Sequence, residues 1–451
     1  MSISSFLGLQ TSLRGLLAQQ QALDVATHNV ANANTVGYTR QEATLGATSA
    51  LHVAAGATQD GNGAFLGQGV DVTSYRRIRD SFLDLQVRAQ NMALGDGSTS
   101  AEALDRVQSA VNEPSTTGIN AMLSKFYSAW TNLSNHPEDA GAKAAVDQAA
   151  KTLTDAFASL SGNISAAATD AQNEFDATTS ATGPIAAAAK SLAQLNKAID
   201  SAIDAGQSPN DLLDQRDQVL DSLSQYGNVS VTPQANGRIQ VSLGNQSIVT
   251  DSTVDWPTAQ VPAGTLPATF SAGGGQLGAL QTLTTTTLPG YLTQLDQVAT
   301  TLATDVNAAF GSTYFNLSSG APGYLAAHLG TDASGNNTIP AAVAGTGAVA
   351  TNDIASAIAA LATTSTTGAQ YAAFVRQAGA DTDNAQRAQS IAQAAVDSAE
   401  DRRQNVMGVS LDEEMANMLK FQRGYQASAR AMSSIDDMLD TLINRAGRVG
   451  L

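Results

Sequence analysis

The chain has 451 residues, only 5% aromatic and 14% charged, with a net charge of −17 and a pI near 4.5. That length accommodates about two to four domains, while the acidity excludes a surface built for nucleic-acid phosphates or anionic lipid. The absence of cysteine excludes disulfides, thiolate metal sites and a cysteine nucleophile, and no apolar run approaches the roughly 18 residues of a membrane span.

From the N-terminus, MSISSFLGLQ has no basic n-region, the first positive charge being Arg14, so a cleaved secretory signal is not expected. Phe6, Leu9, Leu13, Leu16, Gln20, Leu23, Thr27 and Val30 recur at alternating spacings of three and four, the seam of a coiled coil with polar defects at Gln20 and Thr27. The helix predicted here stops at NANTVGYTR (32–40). Asn32 and Asn34 can close it by side-chain-to-backbone hydrogen bonds, and Gly37 tolerates positive φ. Tyr38 offers an aromatic anchor with a polar tip, and Arg40 a charge for a neighbouring acidic surface. These five residues read as a joint.

Residues 41–100 mix short β-like pieces with glycine loops before a helix predicted over 80–92. Further helices are predicted over 100–112, 119–135, 140 to about 176, and 185–205. Ser208-Pro209-Asn210-Asp211 starts another, with serine at the cap and proline at the first helical position. Residues 227–272 switch to period two, with strands joined by an Asn-Gly turn at 236–237. After Gly273-Gly274-Gly275 the helical pattern resumes over 276–310; residues 311–350 are loop-rich and 351–409 mostly helical.

At the C-terminus Ser410-Leu411-Asp412-Glu413 reads as a capping box. Leu411, Met415, Met418, Tyr425, Ala429, Met432, Leu439 and Ile443 follow on one face, with Gly447 and Gly450 beyond the stop. Either the two terminal helices pair, or each packs separately on a globular body; the pattern leaves both open. The expected fold is mainly α, multidomain and elongated: paired coiled-coil termini form an inner layer, helices a second layer, and a small β-rich insertion lies outside. The expected domains are 1–40 with 410–451, 41–226 with 276–310 and 351–409, and 227–275 with 311–350.

Candidates for chemistry are sparse. His28, His52, His136 and His328 are isolated, without zinc-pair spacing. His28 follows Asp24 by one helical turn, open either to a pH-sensitive pair or to a solvated residue near a helix end. Asp211, Asp214 and Asp217 share a helix face that would suit a divalent cation. Against that, Asp211 caps the helix and Arg216 lies within the cluster. The 332–337 stretch lacks a calcium loop's glycine at position six and has Val343 where the bidentate glutamate belongs. Gly63, Gly67 and Gly69 precede no Lys-Ser/Thr, and no G-x-S-x-G elbow occurs. No catalytic residue, cofactor or metal is predicted.

LLAQQQALDVATHNVANANTVGYTRQ resembles the N-terminal signature of the axial proteins of the bacterial flagellum, and VSLDEEMANMLKFQRGYQASARAMSSIDDMLDTLIN resembles the matching tail. SYRRIRDSFLDLQVR (74–88), VNEPSTTGINAMLSKFYSAWTNLSNHPEDAGAK (111–143), LAQLNKAIDSAIDAGQSPNDLLDQRDQVLDSLSQY (192–226) and LDQVATTLATDVNAAF (295–310) resemble the flagellar hook-associated protein 1 family. The likeness is weak over 227–275 and 311–350, and the short middle implies that an outermost domain is absent. The resemblance implies a structural, non-enzymatic protein of the hook–filament junction, exported unfolded without a cleaved signal and located outside the cell. It further implies self-assembly into a ring between the hook protein and the second junction protein on the filament side. A cytoplasmic export chaperone would bind the C-terminal helix, and the terminal helices would order on assembly. A hook or rod component, or an axial scaffold carrying an enzymatic or adhesive insertion at 227–350, is the alternative.

Overall fold

The computed structural model describes residues 2–53, 64–256, 270–316, 320, 322–331 and 348–441, with the side chains of 2–6, 52–53, 64 and 348–351 not described. The Phe6 and His52 side chains, Gly63, the 332–337 stretch, Val343, Ile443, Gly447 and Gly450 therefore lie outside the description.

Helix α1 (Ser2–Ala31) leads into a long antiparallel ribbon. Strand β1 (Gln41–Ala47) pairs with β4 (Val70–Arg77), and β2 (Leu51–Val53) with β3 (Ala64–Leu66). Then come α2 (Ser81–Val111), α3 (Ile119–Asn135), α4 (Ala140–Thr179), α5 (Pro184–Asp204) and α6 (Asn210–Leu223). A four-stranded antiparallel meander follows: β5 (Val229–Pro233), β6 (Ile239–Leu243), β7 (Gln246–Thr250) and β8 (Thr253–Val254). Asn236 and Gly237 turn the β5–β6 hairpin with φ of 51° and 69°, the left-handed region that favours this pair. The chain closes with α7 (Gly275–Thr282), α8 (Leu288–Phe310), α9 (Tyr324–His328), α10 (Ala348–Thr364), α11 (Thr367–Met407) and α12 (Leu411–Asp440). The fold is mainly α, and α4 with 40 residues spans about 60 Å at about 1.5 Å per residue.

Two cores hold the body. The first is helical and aromatic, with Phe126, Trp130, Phe157, Tyr314, Phe315 and Phe374 buried among α2, α3, α4, α8, α10 and α11. The second packs the meander against α5 and α6 through Ile185, Leu223, Val241, Ile248 and Trp256. Trp256 donates its indole N–H to the Thr179 carbonyl (3.1 Å), fastening the meander to the end of α4. Among the described residues neither core draws on α1 or α12.

Three expectations need correction. The helices predicted over 80–92 and 100–112 are one, because Gly95 and Gly97 are contact points rather than breaks. A Cβ on Gly95 would stand 2.1 Å from the Gln225 carbonyl oxygen, and one on Gly97 2.9 Å from the Gln389 amide nitrogen of antiparallel α11. The helix expected from Pro209 begins at Asn210, with Pro209 at the cap position and no side-chain cap. The Asn210 side chain donates instead to Gln41 Oε1 and the Tyr75 carbonyl, which ties α6 to the ribbon. Finally, the described residues of 227–275 and of 311–350 do not share a core. Tyr314, Phe315, Leu325 and Leu329 join the helical core, whereas the strands pack on α5 and α6.

Candidate functional site

The residues singled out by sequence fall on the α1–α12 hairpin and on the turn joining it to the body. The hairpin is antiparallel. A Cβ on Gly8 would lie 3.2 Å from Ile435 Cδ1, one on Gly15 3.0 Å from Ser428 Oγ, and one on Gly424 2.7 Å from Gln19 Oε1. Each step forward along α1 is thus matched by an equal step back along α12. On α1 the seam is a row of small residues, Gly8, Gly15, Ala18, Ala22 and Ala26, whose alanines are at most 1% exposed. Small side chains let the two backbones approach closely.

The terminal helices therefore pair, but through a face of α1 that the leucine spacing did not mark. Leu9, Leu16, Leu23 and Val30 are half-buried and Leu13 is exposed. On α12, Met418, Met432 and Leu439 are half-buried, while Leu411, Met415 and Tyr425 are exposed. Phe421, Gly424, Ser428 and Ile435, which the spacing argument passed over, face the seam or its flank. A glycine–alanine row has no hydrophobic amplitude, so periodicity favours the leucines beside it.

At the joint, the Asn32 side chain donates to the His28 carbonyl (3.0 Å) and accepts from Thr35 (3.2 Å), which closes α1. Asn34, expected to do likewise, is exposed and makes no such bond. Gly37 has φ +76°, and a Cβ there would stand 1.9 Å from Gln218 Nε2, which itself donates to the Val36 carbonyl. The Tyr38 hydroxyl donates to Asn29 Oδ1 (2.8 Å) and lies 3.0 Å from His28 Nδ1. Burial, then Asp211, Asp214 and Glu414, raise the Tyr38 pKa, so the hydroxyl remains a donor. Asn29, buried and unmarked by sequence reasoning, takes both backbone groups of Gln41 at 2.9 Å, mimicking a strand partner.

Arg40 completes the joint. Its amide donates to the Met407 carbonyl, its carbonyl accepts from Ile78, and its guanidinium pairs with Glu413 and Glu414. Ser410 does accept from the Glu413 amide, but the Glu413 carboxylate goes to Arg40 rather than back to the cap.

Beneath the joint lies a lattice of charges only 6–17% exposed. Arg77 reaches Asp214 and Asp217 (both 2.8 Å), Arg79 grips Asp84 with two bonds (2.7 and 2.9 Å), and Arg88 and Arg403 converge on Asp221. Burial disfavours the Arg77 charge, but the aspartates beside it hold its pKa above the usual arginine value. The acidic face considered for a cation is thus occupied by arginines from the ribbon and α2, while Asp211 stands apart and accepts from Gln41. Arg216 is not in that cluster. It passes to the other side of α6, donates to the Gly237 carbonyl (2.6 Å), and has its pKa lowered chiefly by burial. Among the described residues no set of histidines and acids has metal-binding geometry. The arrangement fixes the direction in which the hairpin leaves the body.

A family model described as the flagellar hook-associated protein FlgK helical domain matches residues 104–318. A flagellar basal body rod FlgEFG protein C-terminal model matches 402–445, and a flagella basal body rod protein model matches 9–39. The chain is 30% identical to flagellar hook-associated protein 1 of Bacillus subtilis, over 98% of this chain and 99% of that one. It is 31% identical to the Salmonella typhimurium protein of the same name over 64% of this chain, spanning only 53% of that longer relative. A solved structure of the flagellar hook junction protein FlgK from Burkholderia pseudomallei aligns with 25% identity and a TM-score of 0.46, covering 52% of this chain and 47% of the other.

Proposed function

The chain belongs to the flagellar hook-associated protein 1 family, and we propose that it forms the hook–filament junction of a bacterial flagellum by self-assembly through α1 and α12. The observation that carries this reading is the likeness along 98% of the chain to a protein of that name. The hairpin's physical character supports it. The helices are apolar on two sides, yet only one side of each is covered by the other, so further copies can bury the rest.

In this reading 1–40 with 410–451 forms the inner layer. The helical domain, with Tyr314, Phe315, Leu325 and Leu329 in its core, surrounds it, and the meander of β5–β8 lies outside. Neighbours are identical copies, the hook protein, and the second junction protein towards the filament. The role is structural, without catalysis. The protein reaches the flagellum unfolded and without a cleaved signal, and a cytoplasmic chaperone covers α12 beforehand. The adaptable side chains of Met415, Met418 and Met432 suit a helix with successive partners.

Deleting the gene tests the reading: cells are expected to carry hooks without filaments and to release unpolymerised flagellin. Normal filaments in such cells would overturn it.

A further inference from the structure

The hairpin leaves two separate apolar ridges uncovered. Leu13 and Leu17, 44% and 46% exposed, stand one turn apart on the side of α1 turned from the seam. Leu411, Met415 and Leu419, 50–57% exposed, form a similar row on the far side of α12. The two ridges are not level. Since Gly15 lies opposite Ser428, Leu17 is level with residue 426, about fifteen residues or roughly 22 Å from Leu411. Each ridge also has a flanking charge of opposite sign, Arg14 on α1 and Asp412 on α12, and neither is ion-paired among the described residues.

We propose that Leu13 and Leu17 of one copy dock on Leu411, Met415 and Leu419 of the next, with Arg14 facing Asp412. The inference rests on the self-assembly reading above and adds to it which faces meet and with what stagger. With neighbouring hairpins parallel, α1 of one copy runs antiparallel to α12 of the next. Leu17 then meets Leu411 and Leu13 meets Met415. Arg14 and Asp412 come within about two residues' rise, roughly 3 Å along the axis, which a guanidinium spans. Joining two different patches displaced along the axis is a heterologous contact with an axial translation, which builds helical arrays and cannot close as a ring or a two-fold dimer.

The cysteine-free chain makes cross-linking decisive. Cells co-expressing full-length Leu13→Cys and Met415→Cys chains, oxidised after flagella have formed, are expected to yield disulfide dimers containing one chain of each kind. A single chain carrying both substitutions is expected to give a ladder of multimers. Cross-links between two Leu13→Cys chains, or no cross-links in cells that keep filaments, would overturn the contact while leaving the junction reading intact. Should the cysteine variants fail to assemble, charge reversal decides. Arg14→Asp is expected to reduce filament number at least severalfold, and adding Asp412→Arg to restore it; absence of restoration overturns the proposal.

Discussion

At the scale of single residues, Asn29 and Arg77 carry more of the joint than its turn-forming residues do. Asn29 satisfies two backbone groups of Gln41 and accepts from Tyr38, so Asn29→Ala strands polar groups that water does not readily reach. Each such group costs about 1–3 kcal/mol. The variant is expected to keep both cores but to exchange the amides of 32–41 at least tenfold faster, read by hydrogen exchange with mass spectrometry. Nothing in the sequence singled out Asn29, since it sits inside a helical pattern and its partner folds back twelve residues later. The turn geometry at Asn32 and Gly37 is legible because it is local, whereas the partners of Arg40 (Met407, Glu413 and Glu414) lie more than 360 residues away. Arg77→Met removes the cation between Asp214 and Asp217, and a broken buried pair costs about 3–5 kcal/mol. A lowered melting temperature in calorimetry is expected, partly recovered by adding Asp217→Asn, because residues in one network do not act additively.

At the scale of elements, glycine has opposite meanings in two long helices. Gly95 of α2 lies against the Gln225 carbonyl, whereas nothing stands within 4 Å of a Cβ on Gly162 of α4. Gly162→Ala is expected to stabilise by about 1 kcal/mol, the helix-propensity difference. Gly95→Ala has the same propensity gain but must displace backbone, so it is expected to lower the melting temperature instead. Equal shifts from both would refute the close-packing account. In the sequence the Gly95-Asp96-Gly97 stretch looks like a helix break, because the backbone pressed against it belongs to segments more than a hundred residues away. The same limit explains the hairpin: the leucine row is visible as period, but which row meets α12 depends on how closely the backbones approach.

At the scale of the whole molecule, the two cores and the hairpin are separable. Both cores are complete without α1 and α12, and Glu414 is the one described buried side chain on α12. The hairpin is therefore held by its seam, by the β1–β4 ribbon lying along α1, and by the joint with its Arg40–Glu413/Glu414 contact, but by neither core. Regions with few buried apolar contacts open most readily. In isolated monomer, amides of 1–35 and 415–451 are expected to exchange much faster than those of α4 and α8. Removing 411–451 should leave a helical body that unfolds cooperatively but no longer joins the hook end. Protection of α12 equal to that of α4 in monomer would mean the seam alone suffices. Assembly-coupled ordering, the reason for leaving apolar ridges uncovered, would then lose its basis.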